Sequence, residues 1–168
     1  SFKDKRLKYF FSENHTTLYE ARNLALSKIK GEYVTFLDCD DFWEKDKLSK
    51  QLFIFKKKDV GMVFSNLWLL KNENKNKRLF INEKVQSGFI FCNLLKRYNI
   101  GIISVMIKIS CLDQINKKFD PRFSIIGDFE LFLRFSKKFK IEYIDNPLAT
   151  YRLHGNNYST INKEKEII

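Results

Sequence analysis

The sequence predicts an α/β sandwich with a mostly parallel central sheet, and two observations carry this prediction. Apolar segments of strand length alternate along the chain with amphipathic segments of helical period, the order found in layered α/β domains. Residues 33–37 form a compact β-branched and aromatic run, which is typical of a strand buried on both faces. The length of 168 residues is that of one domain and the chain shows no internal repeat, so we expect residues 1–168 to form a single domain.

The composition indicates a folded domain with a cationic surface. Of the 168 residues, 44% are hydrophobic and 15% aromatic, which is enough to build a core. Lys and Arg number 31 against 20 Asp and Glu, and the net charge of +11 favours a polyanionic partner: nucleic acid, acidic lipid or a phosphorylated small molecule. No apolar run reaches the roughly 18 residues of a membrane helix. The three widely spaced cysteines suit a reducing compartment better than a disulfide framework or a zinc knuckle.

The first predicted elements are a short strand over residues 9–11 and a helix over residues 18–30. Thr17 and Glu20 have the spacing of a capping box, in which each side chain satisfies a free backbone N–H of the other residue. Gly31 follows the last turn as a C-terminal cap. The strand over residues 33–37 follows this helix directly.

The next helix is predicted from its amphipathic pattern. Leu48, Leu52 and Phe55 repeat at helical spacing, so we expect them to form its buried face. Residues 71–78 are polar and of low complexity, which predicts a solvated turn between strands. The other predicted elements are a strand over 62–70, a helix over 88–97, a strand over 104–107, a helix from Asp128 to about 138, and short strands over 141–144 and 148–152.

Three carboxylates follow the predicted buried strand: Asp38, Asp40 and Asp41. Three acids within four residues repel one another, and a hard cation would compensate them. Side chains two apart on an extended chain point the same way, so Asp38 and Asp40 can offer oxygen ligands to one Mg²⁺ or Mn²⁺. An equally weighted interpretation is that Asp40 or Asp41 caps the next helix or forms an Asx turn.

Four further residues have both a functional and an ordinary interpretation. Arg22, in the first turns of its helix, can bind a diphosphate through two hydrogen bonds, although most helix arginines are only solvated. Asp128 follows a glycine at a helix start, where it is either a general base or an N-cap. Arg152 and His154 alternate on one side of an extended segment, which suits a phosphate near the acids, whereas a lone His is usually structural.

Taken in order, these segments resemble a known enzyme family. The strings ARN, GEYVTFLDCDDFW, GDFELFLRF and LATYRLHGNNYS are similar to the motifs of the family 2 glycosyltransferases of the GT-A (Rossmann-like) fold, over about residues 8–159. The resemblance implies an inverting enzyme that transfers a sugar from a nucleotide diphosphate, in the synthesis of bacterial surface polysaccharide or glycolipid.

The resemblance also implies a role for each acidic residue and for Arg22. Asp38 and Asp40 match the ends of the family's Asp-x-Asp motif, so Asp38 is expected to contact the ribose of the donor or the metal, and Asp40 to bind the metal on the diphosphate. Arg22 matches the ARN arginine, expected near the diphosphate or as a support of the acidic motif. Asp128 matches the catalytic base, although the family often has Glu where this chain has Gly127.

The basic tail and the bound partners follow from the same resemblance. Arg152 and His154 match a segment that folds over the leaving diphosphate, and His154 is expected to reach the metal, Mn²⁺ or Mg²⁺. The expected donor is a UDP-sugar, and the expected acceptor is a sugar or a lipid-linked sugar placed near residues 99–106. We expect a cytoplasmic protein, peripheral at the inner face of the membrane, that binds no nucleic acid.

The start of the chain departs from the family. Family members begin with a strand and a loop that contacts the nucleotide base, and nothing ahead of Lys8 matches them, so we expect an N-terminally truncated domain that is inactive by itself. A degenerate domain that acts as a scaffold is therefore an alternative. A basic nucleic-acid-binding module would explain the charge, but it would not explain the acids that end the strand.

Overall fold

The computed structural model describes residues 3–71, 76–116, 118–154 and 157. The helices are α1 (Leu18–Leu26), α2 (Lys47–Ile54), α3 (Phe91–Lys96), α4 (Ile109–Leu112) and α5 (Gly127–Ser136), with a 3₁₀ turn at Ile102–Ser104. The strands are β1 (Tyr33–Thr35), β2 (Phe42–Trp43), β3 (Val60–Lys71), β4 (Asn76–Leu79), β5 (Met106–Lys108) and β6 (Lys140–Leu153). None of the helices in these ranges is long and apolar enough to cross a membrane.

The strands form one sheet in the order β1-β5-β3-β6-β2, with β4 paired to β3. The α/β class is confirmed, but the expectation of a mostly parallel sheet is wrong. Within the described residues, β3 and β6 are parallel, whereas the other four strand pairs are antiparallel. Alternation of strands and helices predicts parallel neighbours only where a long crossover connects them, and only residues 72–75 separate β3 from β4.

One face of the sheet packs against α1, α3 and α5 to form the main core. Fully buried side chains of β3, β5 and β6 meet fully buried side chains of these helices; they include Met62, Phe64, Ile107, Ile141, Tyr19, Leu94, Phe132 and Phe135. Each such apolar side chain contributes about 1.5–3 kcal/mol relative to an exposed one. This face of the sheet holds α1 and α5, the two helices that carry Arg22 and Asp128.

The helix α2 lies on the opposite face, and its orientation differs from the sequence prediction. Lys47 and Gln51 are fully buried, whereas Leu48 and Leu52 are each 43% exposed. In β1, Val34 packs against the main core, and its neighbour Thr35 points to the opposite face of the sheet. There the Thr35 hydroxyl contacts the Lys47 ammonium group. Polar groups of the sheet therefore decide which side of α2 is buried, and the expected apolar face is wrong.

Most other elements agree with the sequence in type and differ in length. The capping box of Thr17 and Glu20 is confirmed, and α1 ends at Leu26 rather than near residue 30. The two late strands are one continuous strand, β6. Residues 9–11 form no strand. In the predicted turn over 71–78, residues 71 and 76–78 belong to β3 and β4, and residues 72–75 lie outside the described part.

Candidate active site

The acidic residues form a turn between β1 and β2, beside the end of β6. The backbone N–H of Asp41 donates to the carbonyl oxygen of Asp38 at 3.1 Å. The strand β2 then pairs antiparallel with β6, with Phe42 opposite Thr150. An antiparallel pair places the residues before Phe42 next to those after Thr150, and so the sheet brings the acidic turn to Arg152 and His154.

Asp40 and His154 contact each other directly. The Nε2 atom of His154 lies 2.8 Å from Oδ2 of Asp40. The hydrogen bond from His154 lowers the pKa of Asp40, because it favours the ionised carboxylate. Asn157 holds this histidine: the backbone N–H of His154 donates to Oδ1 of Asn157 at 2.6 Å.

Asp41 is the most buried of the three acids, with 6% of its surface exposed. Its Oδ1 accepts the backbone N–H of Arg152 at 2.9 Å. Its Oδ2 is buried and has no hydrogen-bond partner among the described residues. Burial raises the pKa of Asp41 to about 6. Neither Asp40 nor Asp41 caps α2, which has no side-chain cap at Asp46.

Arg22 pairs with Asp38. One guanidinium nitrogen lies 3.0 and 3.2 Å from the two carboxylate oxygens. The arginine side chain is only 11% exposed, and its guanidinium lies over the rings of Tyr19 and Phe119 at 5.6 and 5.9 Å. Arg22 therefore contacts the acidic turn through Asp38, and it also lines the same cavity as Asp38 and Asp40.

Asp128 lies in the first turn of α5 and is held by two donors. The hydroxyl of Tyr98 donates to Oδ2 at 2.9 Å, and the backbone N–H of Phe129 donates to Oδ1 at 2.9 Å. Burial raises the pKa of Asp128, and these two hydrogen bonds oppose the rise. A carboxylate with a raised pKa is better able to take a proton near neutral pH.

Steric contact with another side chain explains why a glycine precedes Asp128 in this chain. A Cβ atom on Gly127 would lie 2.6 Å from a ring carbon of Tyr19, closer than real Cβ contacts. The Tyr19 hydroxyl also donates to the carbonyl of Ile125 at 2.6 Å, so α1 is bonded to the segment that leads into α5. The ring of Tyr19 therefore occupies the space that a larger residue at position 127 would need.

A cavity of about 650 Å³, here called the central cavity, joins these groups. Arg22, Asp38, Asp40 and Asp128 all line it, together with residues 100–103 from the region assigned to the acceptor. Arg152 and His154 are not among its lining residues. The Arg152 guanidinium instead donates to the backbone carbonyl of Asp40 and lies over the Phe42 ring, 5.0 Å from its centroid.

The donor atoms of Asp40 and His154 suit a divalent ion that is shared with a substrate. Two ligand atoms at about 2.1 Å from one ion and at right angles lie roughly 3 Å apart. The 2.8 Å between Asp40 Oδ2 and His154 Nε2 is close to that separation. No group of three or more His, Cys, Asp or Glu among the described residues could hold a metal ion, and Mg²⁺ is usually held by one or two carboxylates together with substrate phosphates.

The sequence analysis missed three residues at this site. Tyr98 reaches Asp128 from the segment after α3, 30 residues away, and no motif marks it. Tyr19 lies three residues before Arg22 on α1, so helical spacing could have placed both side chains on one face. Asn157 lies in the tail segment but was not singled out within it.

Comparison with known proteins identifies the family. Residues 1–136 match the family model described as Glycosyl transferase family 2. The chain belongs to glycosyl transferase family 2. The matched range includes Arg22, the acidic turn and Asp128, while Arg152 and His154 lie beyond it.

Two family 2 relatives show what this chain is similar to. The teichuronic acid biosynthesis glycosyltransferase TuaG of Bacillus subtilis is 32% identical over 158 residues, which cover 94% of this chain and 61% of TuaG. WfgD of Escherichia coli, a UDP-Glc:alpha-D-GlcNAc-diphosphoundecaprenol beta-1,3-glucosyltransferase, is 27% identical over 168 residues, 99% of this chain and 63% of WfgD. The chain thus spans about three fifths of the length of these relatives.

A solved structure shows the same fold. Staphylococcus aureus TarS in complex with UDP-GlcNAc superposes with a TM-score of 0.60 at 16% identity, over 82% of this chain and 39% of that chain. At this identity the likeness concerns the fold alone. The chain has the GT-A fold that the sequence motifs predicted.

Proposed function

We propose that this protein transfers a sugar from a nucleoside diphosphate to a hydroxyl acceptor, with inversion at the anomeric carbon. The observation that carries the proposal is the central cavity, in which a carboxylate with a raised pKa, Asp128, shares one space with Asp38 and Asp40. A single displacement needs a base on one side of the sugar and support for the leaving diphosphate on the other. The acidic turn and Asp128 supply these two functions from separate elements.

Asp128 acts as the general base of this reaction. It takes the proton of the acceptor hydroxyl while that oxygen bonds to the anomeric carbon, and the bond from carbon to the diphosphate oxygen breaks with its electron pair. The attack comes from the face opposite the diphosphate, which inverts the configuration. Arg22 keeps Asp38 in place by the contact at 3.0 Å, so that Asp38 can bind the donor.

Asp40 and His154 would hold the divalent ion, Mn²⁺ or Mg²⁺, that the family resemblance implies. When bound, this ion supplies Lewis-acid stabilisation of the charge on the diphosphate. Arg152 contributes by holding the acidic turn through the Asp40 carbonyl and the Asp41 carboxylate. The positive charges of the bound ion and of Arg152 add to the positive field that favours a phosphorylated donor.

We infer a UDP-sugar as donor and a lipid-linked sugar as acceptor. The donor is supported by TarS, which is solved with UDP-GlcNAc, and the acceptor by WfgD, whose name specifies a diphosphoundecaprenol carrier. The walls that β3 and β6 give the cavity are apolar, with Leu67, Leu69 and Tyr151 among them, and suit a substrate that carries a lipid. The net charge of +11 favours contact with an anionic membrane, as at the cytoplasmic face of a cell membrane.

Metal-dependent binding of UDP by the full-length protein tests this proposal. We expect UDP with Mn²⁺ to raise the melting temperature. At a ligand concentration a hundred times the dissociation constant, the free energy of unfolding should rise by about 2.7 kcal/mol. Asp40→Asn and His154→Ala should lose the part of the rise that depends on Mn²⁺. The control is Asp113→Asn, a surface carboxylate paired with Lys118 and absent from the cavity lining. Stabilisation that is equal with and without Mn²⁺, or intact in Asp40→Asn, would contradict the proposed site.

A further inference from the structure

The side chain of Tyr98 contacts the proposed base, Asp128, from a segment that is separate from the acidic turn. Tyr98 lies between α3 and the 3₁₀ turn, and it lines the central cavity together with Asp128. Its ring packs tilted against Phe129 at 4.8 Å between centroids, which fixes the direction of the hydroxyl. That hydroxyl donates to Oδ2 of Asp128 at 2.9 Å.

The hydrogen bonds of Asp128 leave room for a substrate. An ionised carboxylate has about four lone-pair sites on its two oxygens. The Tyr98 hydroxyl uses one site on Oδ2, and the Phe129 N–H uses one site on Oδ1. The Tyr19 hydroxyl also lies 3.4 Å from Oδ1, a longer contact than its 2.6 Å bond to the Ile125 carbonyl. With the Tyr19 proton on that carbonyl, one lone pair on each carboxylate oxygen remains to accept a hydroxyl proton in the cavity.

The backbone at Asp128 is held separately, by Tyr19. The Tyr19 hydroxyl has a single proton, which goes to the carbonyl of Ile125 at 2.6 Å. The same oxygen lies 3.3 Å from the backbone N–H of Asp128 and can accept it. Tyr19 therefore holds the chain at the start of α5, and Tyr98 holds the carboxylate itself.

We infer that Tyr98 is a positioning residue for the reaction, whose hydroxyl holds the Asp128 carboxylate so that its free lone pairs are available to the acceptor hydroxyl. This inference rests on the proposed function. A rotation of the carboxylate would misdirect the lone pair that takes the proton, and errors of about 1 Å in such positions cost up to roughly a hundredfold in rate. Tyr98 keeps its own proton throughout, and the acceptor proton ends on Asp128.

The Tyr98 contact has an electrostatic signature that packing alone would not produce. The groups that face Asp128 are Tyr98, Tyr19 and Arg22, and both the Tyr98 hydrogen bond and the Arg22 charge lower its pKa. Removal of the Tyr98 hydroxyl should therefore raise the pKa of Asp128. A hydrogen bond to a charged group corresponds to a shift of about one unit or more.

The test is the variant Tyr98→Phe, which keeps the ring and removes the hydroxyl. The pKa of Asp128 is measured by carbon-13 NMR titration of its carboxyl carbon, and we expect a rise of about one unit. With a UDP-sugar and an active acceptor, the acidic limb of the pH profile of kcat/KM should move by the same amount, and the plateau kcat should fall about tenfold. The control is Tyr143→Phe, which removes a hydroxyl bonded to Asp145 at 3.1 Å outside the cavity.

Two results would overturn the inference about Tyr98 and leave the proposed function standing. One is an unchanged pKa of Asp128 in folded Tyr98→Phe, and the other is a shifted pKa with an unchanged plateau kcat. A full-length wild-type protein that binds no nucleotide and transfers no sugar would instead reject the proposed function, and with it the role of Tyr98 in the reaction. The NMR titration needs no substrate, so the two failures are distinguishable.

Discussion

Two charged side chains of this protein are withdrawn from water on opposite faces of the same sheet, and their surroundings differ. Asp128 is bonded to two donors, the Tyr98 hydroxyl and the Phe129 N–H, and it lines the central cavity. The ammonium group of Lys47 contacts neutral acceptors, Gln51 Oε1 at 2.7 Å and Thr35 Oγ1 at 3.0 Å. Lys47 is fully buried and does not line the cavity.

Burial acts on both groups in the same physical direction. It favours the neutral form of each, so it raises the pKa of Asp128 and lowers the pKa of Lys47 to about 7. The ring of Trp43 covers the Lys47 ammonium at 4.4 Å from its centroid, and its indole N–H bonds to the Ile103 carbonyl at 2.9 Å. The difference teaches that a shifted pKa alone does not mark a catalytic group. Access to the central cavity distinguishes Asp128, which can exchange a proton with a ligand there, from Lys47, which is buried away from that cavity.

The largest expected effect comes from Asp128→Asn, which removes the proton acceptor and keeps the shape. The rate of sugar transfer should fall by about 10²–10⁴-fold, the range typical of general-base catalysis. Binding of UDP should be almost unchanged, because the proposed diphosphate contacts lie at the acidic turn and not at Asp128. Steady-state kinetics and calorimetric titration measure the two effects.

The matched control for this substitution is Asp145→Asn. Asp145 also accepts a tyrosine hydroxyl, from Tyr143, but lies outside the cavity. Its kinetics should match those of the wild type. If Asp128→Asn keeps the wild-type rate, Asp128 is not the base. Asp128 and Lys47 would then differ in their surroundings but not in function.

A smaller effect is expected from Gly127→Ala, which tests the packing behind the base. The added Cβ would lie 2.6 Å from the Tyr19 ring, so either the ring or the start of α5 must move. Overpacking of this kind lowers the free energy of unfolding by about 1–3 kcal/mol. Urea denaturation measures the loss.

Gly31→Ala is the control for this variant, since a Cβ there meets its nearest neighbour at 3.4 Å, an ordinary contact. The free energy of unfolding of Gly31→Ala should lie within about 0.5 kcal/mol of the wild-type value. Equal stabilities for the two alanine variants would show that Tyr19 yields without cost and that position 127 does not require glycine.

The smallest effect is a pH dependence that Lys47 adds to stability. The folded pKa of about 7 lies below the unfolded value of 10.5, so above pH 7 the unfolded state binds more protons and the stability rises with pH. Integration over pH 7 to 8 gives a rise of about 1 kcal/mol for this group. Lys47→Met should remove that rise, measured as the change in the free energy of unfolding between these two pH values.

Lys50→Met is its control, because this lysine lies on the same helix with its side chain 43% exposed and paired with Asp46. It should keep the wild-type pH dependence. An identical pH slope in Lys47→Met and the wild type would mean that the buried ammonium keeps an ordinary pKa, and the parallel with Asp128 would fail.

The sequence predicted the chemical groups of the site better than it predicted their contacts. Arg22, Asp38, Asp40 and Asp128 stand in short motifs with distinctive spacing, and all four line one cavity. Tyr98 could not be found in this way, since its contact with Asp128 depends on the path of the chain between α3 and β5. The sequence predicts that Arg152 and His154 act together on the diphosphate, and this stays a prediction. Their contacts with the carbonyl and the carboxylate of Asp40 are ones that no motif specifies.

The sequence by itself determined the α/β class, the capping box of α1 and the acidic residues that follow β1, because each depends on residues close together in the chain. The tertiary structure alone decided the strand directions, the buried face of α2 and the partners of Asp128. Hydrophobic periodicity predicts that a helix has one apolar face, but it does not include polar groups that another element presents. In this protein Thr35 and the backbone carbonyls of Val63 and Ser104 draw Lys47 and Gln51 inward and leave Leu48 and Leu52 exposed. Hydrogen bonds between residues distant in the chain thus set the features that local pattern left open, because an unpaired buried polar group costs more than an exposed leucine.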